Sequence, residues 1–222
     1  MKTLIFSDTH LSHLFDKAKY DYLSEIIDMS DHVIINGDLW EGYFTTFDLF
    51  VNSEWRRLFP LLKSKNAVYL HGNHDSPERF DVDERTGYFS VKYGVEHELL
   101  LTGKRYVIEH GDRLLSKNSN GRLRQLIKRP TRFHTYAAHA INALDYISYK
   151  GFANCIVTQP LNNRLKMTAS GILDDAYLVT SHTHYSELDE VSRYINTGAN
   201  RFGYGNYLLI NDEGHELVSV RY

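Results

Sequence analysis

The sequence has a single cysteine, Cys155, and no excess of basic residues. One cysteine excludes a disulfide within the chain and is typical of proteins from a reducing compartment. The formal net charge of −3 argues against a polycation that coats nucleic acid. Long apolar runs are also absent: none reaches the roughly 20 residues of a membrane span, and the first one is too short for a signal peptide. These absences favour a cytoplasmic protein without a membrane span.

The chain has 222 residues, which is enough for one domain with a substantial core. It contains no internal repeat and no low-complexity segment. We therefore expect a single domain over residues 1–222.

Five short apolar runs each end abruptly in a polar cluster. They are Leu4–Phe6, Val33–Ile35, Ala67–Leu70, Tyr106–Ile108 and Ala176–Val179. Such runs are typical of buried strands. Because sites in α/β sheets lie outside the carboxyl ends of the strands, we expect the five polar clusters to lie along one edge.

Helical periodicity fits between the early strands. One helix is predicted from an N-cap at Asp16 to about Met29, and a second over about 48–64 with a bend at Pro60. Residues 88–109 predict consecutive strands with a turn at 102–103, and residues 187–222 predict three more. This order favours an α/β protein with two packed sheets and helices outside.

A helical insertion is predicted at about residues 113–151, between the fourth and fifth clusters. Residues 113–132 contain seven cations and no acid. Two interpretations remain open: a solvated helix face, which is usual for charge runs, or a rim that binds an anionic substrate. In the second interpretation the substrate-binding residues are Arg122, Arg124, Lys128 and Arg129.

The polar clusters also supply seven side chains of the types that bind divalent metals. They are Asp8, His10, Asp38, Asn73, His110, His182 and His184. Such oxygen and nitrogen ligands suit Mn, Fe or Zn. Seven ligands exceed the four of one tetrahedral ion, so we expect two ions that share a carboxylate, for which Asp38 is the natural candidate.

Charge balance predicts that the site binds an anion. Two divalent cations bring four positive charges, of which Asp8, Asp38 and a hydroxide would cancel three. The remaining charge of about +1 suits a phosphate. Metal ions roughly 3.5–4 Å apart can hold the attacking and leaving oxygens of an in-line displacement.

The order of these motifs resembles the calcineurin-like metallophosphoesterase superfamily. The motifs are Asp8-x-His10, Gly37-Asp38, Gly72-Asn73-His74-Asp75, His110-Gly111-Asp112 and His182-x-His184. The resemblance implies an α/β/β/α sandwich and hydrolysis of phosphate esters by in-line attack of hydroxide. It also implies one ion held by Asp8, His10, Asp38 and His184, and another held by Asp38, Asn73, His110 and His182.

The resemblance implies a catalytic pair beside the metals. His74 would face the substrate and stabilise the transition state or protonate the leaving oxygen, and Glu41 would orient His74. Relatives often carry a phosphate-binding arginine where this chain has Gly42. Phosphate contacts must therefore come from elsewhere in this chain.

The leading hypothesis is a Mn²⁺-dependent hydrolase, with Fe or Zn as alternatives, that cleaves a phosphate ester or a phosphoanhydride in a small phosphorylated metabolite. A nuclease is the second hypothesis, although the acidic total argues against it. Gly37–Glu41, His110–Asp112 and Ile195–Gly198 are also similar to UDP-diacylglucosamine hydrolases, part of which carry arginine at the position of His74. A non-catalytic protein-binding scaffold is least favoured, because such a protein would be expected to have lost ligands.

Overall fold

The computed structural model describes residues 1–77, 87–116, 158–172 and 175–222. Apart from its first four residues, the predicted insertion lies outside these ranges, together with Arg122, Arg124, Lys128 and Arg129. The described helices are α1 (Lys17–Asp28), α2 (Phe47–Val51), a 3₁₀ helix (Glu54–Leu58), α3 (Phe59–Ser64), α4 (Asp112–Ser116) and α5 (Gln159–Ile172).

The described strands form two sheets. The first six are β1 (Thr3–Phe6), β2 (His32–Asn36), β3 (Val68–Leu70), β4 (Lys92–Gly94), β5 (Glu96–Leu101) and β6 (Lys104–Glu109). The others are β7 (Ala176–Thr180), β8 (Glu187–Asp189), β9 (Tyr194–Asn196), β10 (Tyr204–Asn211) and β11 (Gly214–Arg221). One sheet has the order β11-β10-β1-β2-β3-β4, and the other has the order β5-β6-β7-β9-β8.

Parallel strands at the centre of each sheet carry the polar clusters. β1, β2 and β3 pair in parallel, with Leu4 opposite Val33 and Ile34 opposite Val68. β6 and β7 pair in parallel in the second sheet. The hairpin of β10 and β11 joins the first sheet by antiparallel pairing of β10 with β1.

Three apolar clusters define four layers. Ile5 and Ile34 of the first sheet pack with Ile108 and Val179 of the second, so this cluster fills the space between the sheets. A second cluster packs the outer face of the first sheet against α1, α2 and α3. A third cluster packs the outer face of the second sheet against Leu165 of α5 and against α4. The predicted two-sheet α/β/β/α sandwich is confirmed.

Several sequence predictions are confirmed in detail. α1 begins after Asp16, whose carboxylate accepts the N–H of Lys19, and ends within a residue of its predicted end. The turn between β5 and β6 lies at Thr102 and Gly103, both with positive φ. The residues of the five expected apolar runs are all buried, and all of them lie in strands except Ala67, which directly precedes β3.

Other predictions were wrong. The helix expected over 48–64 is three short helices, because Ser53 caps the second one and Pro60 lies in the first turn of the third. Residues 187–222 form four strands instead of three, divided between both sheets. The polar clusters follow strands of two sheets instead of one edge, and α5 was not anticipated.

Candidate metal centre

The candidate ligands follow the carboxyl ends of strands from both sheets. Asp8 and His10 follow β1, Asp38 follows β2, and Asn73 follows β3. From the second sheet, His110 follows β6, and His182 and His184 follow β7. Because the sheets pack face to face, these ends converge. The structure brings all seven together, while their function as ligands remains a prediction.

Five of the seven candidate ligands have a left-handed backbone. Their φ angles are 50° for Asp8, 46° for His10, 52° for Asp38, 66° for His182 and 59° for His184. Non-glycine residues adopt this region rarely, at a cost of order 1–3 kcal/mol each. Backbone strain of this kind concentrates at functional sites, where the surrounding structure enforces it.

The first group consists of Asp8, His10 and His184. Nε2 of His184 lies 3.2 Å from Oδ1 of Asp8, and Nε2 of His10 lies 3.9 Å from the same oxygen. The two Nε2 atoms are 3.4 Å apart. The three donor atoms thus face one common point.

The second group consists of Asp38, His110 and His182, with Asn73 beside it. Nε2 of His110 lies 3.2 Å from Oδ2 of Asp38 and 3.3 Å from Oδ1 of Asn73. The same Oδ2 of Asp38 is 3.8 Å from Nε2 of His10 in the first group. Asp38 therefore lies between the groups, as expected of a shared carboxylate.

The donor set fits divalent cations. Oδ1 of Asp8 is buried and has no hydrogen-bond partner. Nδ1 of His110 lies 2.9 Å from the backbone oxygen of Asn36, which can only accept, so Nδ1 carries the proton of the neutral ring. Nε2 of that ring then directs a lone pair at the oxygens of Asp38 and Asn73. Converging lone pairs of this kind are stable when a cation lies among them.

Glu41 connects two histidines of the site. Its Oε2 lies 2.8 Å from Nδ1 of His10, and its Oε1 lies 2.7 Å from Nδ1 of His74. Both Nε2 atoms are thereby turned away from Glu41. Sequence reasoning anticipated the contact with His74 but not the one with His10.

His74 combines a fixed position with access to solvent. Its backbone N–H donates to Oδ1 of Asp38 at 2.8 Å, and its ring packs edge-on against His10 and Tyr43. The side chain is 27% exposed, while that of Glu41 is 5% exposed. A substrate can therefore reach the ring while Glu41 holds its far side.

The electrostatics keep both aspartates ionised. Against the effect of burial, His184 lowers the pKa of Asp8 to about 2, and His110 holds the pKa of Asp38 well below its usual value. Burial lowers the pKa of His10 to about 4 and that of His182 to about 3. At neutral pH the site thus offers anionic carboxylates and, at His10 and His182, neutral imidazoles, the states that metals bind. Against the effect of burial, the charge of Asp38 raises the pKa of His110 well above its usual value, so a bound cation would replace that proton.

Two glycines provide the space in which the ligands meet. A Cβ at Gly37 would lie 2.3 Å from Nδ1 of His110, and a Cβ at Gly72 would lie 2.1 Å from Oδ1 of Asp38. Nearby, buried Asp75 accepts the N–H groups of Leu39 and Gly72, each at 2.7 Å. Asp75 therefore joins the loop after β2 to the loop after β3.

Asparagines outside the motifs hold the remaining loops. Oδ1 of Asn162 on α5 accepts hydrogen bonds from Thr183, which lies between the two histidines after β7, and from Asn196. Asn200 donates its backbone N–H to the oxygen of Asp8 and its side-chain amide to Ser7. Nothing in their sequence context distinguished these asparagines from ordinary loop residues.

Sequence reasoning also missed two buried cations, Lys19 and Arg201, which line a cavity shared with His10. Neither residue belongs to one of the polar clusters that follow the predicted strands. The four basic residues proposed to bind substrate lie outside the described residues.

The sequence profile of the calcineurin-like phosphoesterase family matches residues 1–186. The match covers all seven candidate ligands, Glu41 and His74. No curated protein is significantly similar to the chain in sequence.

Solved structures with a similar fold include phosphoesterases. A novel archaeal phosphodiesterase is 17% identical, with a TM-score of 0.50, over 99% of this chain and 100% of that one. Yfce, a phosphoesterase from E. coli, is 14% identical, with a TM-score of 0.50, over 100% and 99% of the two chains. A hypothetical protein from Pyrococcus horikoshii is 12% identical, with a TM-score of 0.50, over 100% and 88%. At these identities the likeness concerns the fold.

Proposed function

Since this chain belongs to the calcineurin-like phosphoesterase family, we propose that it is a two-metal hydrolase of a small phosphorylated metabolite, with Mn²⁺ as the preferred ion. The observation that supports this most strongly is the pair of adjoining ligand groups with Asp38 between them. Two bound cations would polarise the phosphoryl group and hold the oxygens that attack and leave. Asp8, His10 and His184 would hold one ion, and Asn73, His110 and His182 would hold the other.

The side chains around the metals position the reacting groups. Glu41 accepts the Nδ1–H of His74 and of His10, which fixes both rings with Nε2 available. We assign His74 the transfer of a proton to the leaving oxygen, because its ring is both held and exposed. Asp38 also accepts the backbone N–H of His74, which fixes the position of His74 relative to the shared carboxylate.

The proposal is tested with protein that has been stripped by a chelator and then reloaded with Mn²⁺. The substrates are an aryl monoester, an aryl diester, a UDP-sugar-type pyrophosphate and single-stranded DNA, which represent the competing substrate classes. We expect no turnover without metal and two ions per chain after reloading. Activity on the DNA alone would favour the nuclease, and turnover of none of the four would contradict the proposed substrate class.

Asp38→Asn tests the shared carboxylate. Since Asp38 faces both groups, this variant should lose more metal than any other single ligand variant. Asp21→Asn changes an exposed aspartate of α1 in the same way and should keep both ions. No more than one ion per chain in the reloaded parent protein would rule out the two-metal site.

A further inference from the structure

A separate cavity adjoins the metal centre on the side of α1. Its volume is about 220 Å³, and its lining includes His10, Leu14, Lys19, Trp55 and Arg201. Because His10 also belongs to the metal centre, the two spaces share a wall. The cavity is smaller than the roughly 300–1,000 Å³ of pockets that take a whole small ligand. Its size therefore suits one group of a larger substrate.

Two buried cations line this cavity. Lys19 and Arg201 are each only 8% exposed, and cationic side chains are seldom buried so deeply. One N–H of Lys19 donates to the backbone oxygen of Thr9. An ammonium carries three N–H groups, and among the described residues Lys19 forms no salt bridge. Lys19 thus retains donors for an anion.

Arg201 lies close to the metal centre. It follows Asn200, whose backbone N–H donates to the oxygen of Asp8 at 3.2 Å. Its guanidinium carbon is 4.8 Å from the ring centre of Phe202. After burial, the charge of Arg201 is the largest cause that lowers the pKa of His10 to about 4 and that of Lys19 to about 7. The charge of Arg201 therefore affects a residue of the metal centre and a residue of the cavity.

The lining of the cavity contains an acidic group as well as the two cations. Among the described lining residues the acid is Asp16. Its Oδ1 already accepts the backbone N–H of Lys19 at 3.2 Å as the N-cap of α1. Lys19 and Arg201 thus bring two cationic side chains to the wall of one cavity. A bound anion would stabilise the charged form of Lys19.

We propose that this cavity is an anion-binding subsite in which Lys19 and Arg201 hold a second anionic group of the substrate. The inference rests on the proposed function, which places the first group, the phosphoryl group, at the metals. The substrate class is then a phosphorylated metabolite whose second phosphate or carboxylate lies close to the bond that is cleaved.

Binding of non-hydrolysable probes tests the subsite without catalysis. The probes are methylenediphosphonate, phosphonoacetate and inorganic phosphate, titrated calorimetrically into the Mn²⁺-loaded full chain. We expect at least one two-group probe to bind about tenfold or more tightly than phosphate, as charged hydrogen bonds allow. Whichever of the two probes gains more affinity over inorganic phosphate identifies the second group, as phosphate for methylenediphosphonate or as carboxylate for phosphonoacetate.

Three variants test whether Lys19 and Arg201 cause the tighter binding of the two-group probes. Lys19→Gln and Arg201→Gln should each remove most of it, and Lys19→Gln keeps a donor for Thr9. Lys17→Gln is the matched control, because Lys17 lies on the same helix with 78% of its side chain exposed. Variants that bind every probe as the parent does would overturn the subsite.

A charge at the rim provides a test that leaves both cations in place. Leu14 lines the cavity and is 51% exposed, so its replacement should not disturb folding. Leu14→Glu should weaken binding of the two-group probes more than Leu14→Gln, and added salt should reduce the difference. Equal binding by these two variants would contradict the subsite.

Failure of the subsite and failure of the proposed function give different results. If the loaded protein hydrolyses no phosphate compound but the probes still depend on Lys19 and Arg201, the subsite stands and the proposed function is wrong. If it hydrolyses phosphate esters and the probes ignore both residues, the subsite is wrong and the function stands.

Discussion

Glu41 is a single side chain that fixes two histidines of the site. It is 5% exposed and contacts Nδ1 of His10 and of His74. A carboxylate in this position sets the orientation of each ring and stabilises its protonated form. The behaviour of His74 should therefore depend on Glu41 as well as on the metals.

We expect His74→Ala to lower kcat by about 10²–10⁴, the usual contribution of a positioned acid. Metal content should remain unchanged, because His74 is hydrogen-bonded to Glu41 and is not one of the seven candidate ligands. The measurement combines steady-state kinetics with elemental analysis, and His32→Ala, at the opposite end of β2, is the control. Loss of metal from His74→Ala would make His74 a ligand.

The activity of the enzyme should decline at alkaline pH. Against the effect of burial, the charges of Asp38 and then of Glu41 raise the pKa of His74 to about 9. His74 is then protonated at neutral pH, and kcat should fall as the pH rises through about 9. Removal of a negative neighbour lowers a histidine pKa, so Glu41→Gln should move this limb to lower pH.

The measurement is the dependence of kcat on pH for the parent enzyme and for Glu41→Gln. Glu54→Gln changes an exposed glutamate of the 3₁₀ helix and should leave the profile in place. An alkaline limb that stays at the same pH in Glu41→Gln would show that another group supplies the proton.

The seven candidate ligands were predictable from the sequence because each follows an apolar run that reads as a strand. Lys19 and Arg201 were not predictable, because their burial depends on contacts far along the chain. Arg201 is brought to the site by the hydrogen bond between Asn200 and Asp8. A contact across nearly the whole chain leaves no local pattern.

Among the structural elements, the loop after β2 depends on a glycine. Gly37 has a φ of +85°, and a Cβ there would lie 2.3 Å from Nδ1 of His110. Gly103, in the turn between β5 and β6, has a φ of +75°, and a Cβ there would meet nothing within 4 Å. A residue with a Cβ would strain the backbone at both positions, but only at Gly37 would that Cβ also collide with a neighbouring side chain.

Alanine at either position should cost about 1–3 kcal/mol of unfolding free energy from the left-handed backbone alone. Gly37→Ala should cost more and should lose metal, because His110 must move. Denaturant unfolding and elemental analysis measure both effects. Equal destabilisation of the two variants, with metal retained in Gly37→Ala, would contradict this role of Gly37.

Elements with local signals were predicted best. Asp16 marks the start of α1, and Thr102-Gly103 marks a turn that the structure contains. The segment over 48–64 failed because its apolar stripe is continuous while its backbone is not. Val51, Trp55, Leu58 and Leu62 are all buried, yet Ser53 and Pro60 divide the segment. Periodicity reports which residues face the core, and it does not show where a helix stops.

At the scale of the whole molecule, the contribution of the predicted basic segment to substrate affinity remains a hypothesis. Neutralisation of Arg122, Arg124, Lys128 and Arg129 should raise KM for a multiply charged substrate and leave kcat nearly intact. The reason is that cations which bind charge present in both ground and transition states contribute uniform binding. Turnover of a small aryl phosphate should barely change.

The control neutralises four exposed cations elsewhere: Lys17, Arg56, Lys63 and Lys92. Added salt should weaken binding of the larger substrate more in the parent than in the basic-segment variant. An identical response of both substrates, or of neither, would indicate a solvated helix face.

The pairing of β10 with β1 and the hydrogen bond from Asn200 to Asp8 also affect how the protein folds during its synthesis. A ribosome adds roughly 5–20 residues per second, so Asp8 is made about 10–40 s before Asn200. Throughout that interval β1 lacks one neighbour and its unpaired edge is open to other chains. A nascent chain therefore carries most of the candidate metal ligands well before it can hold them in place, and this interval is when a chaperone would matter most.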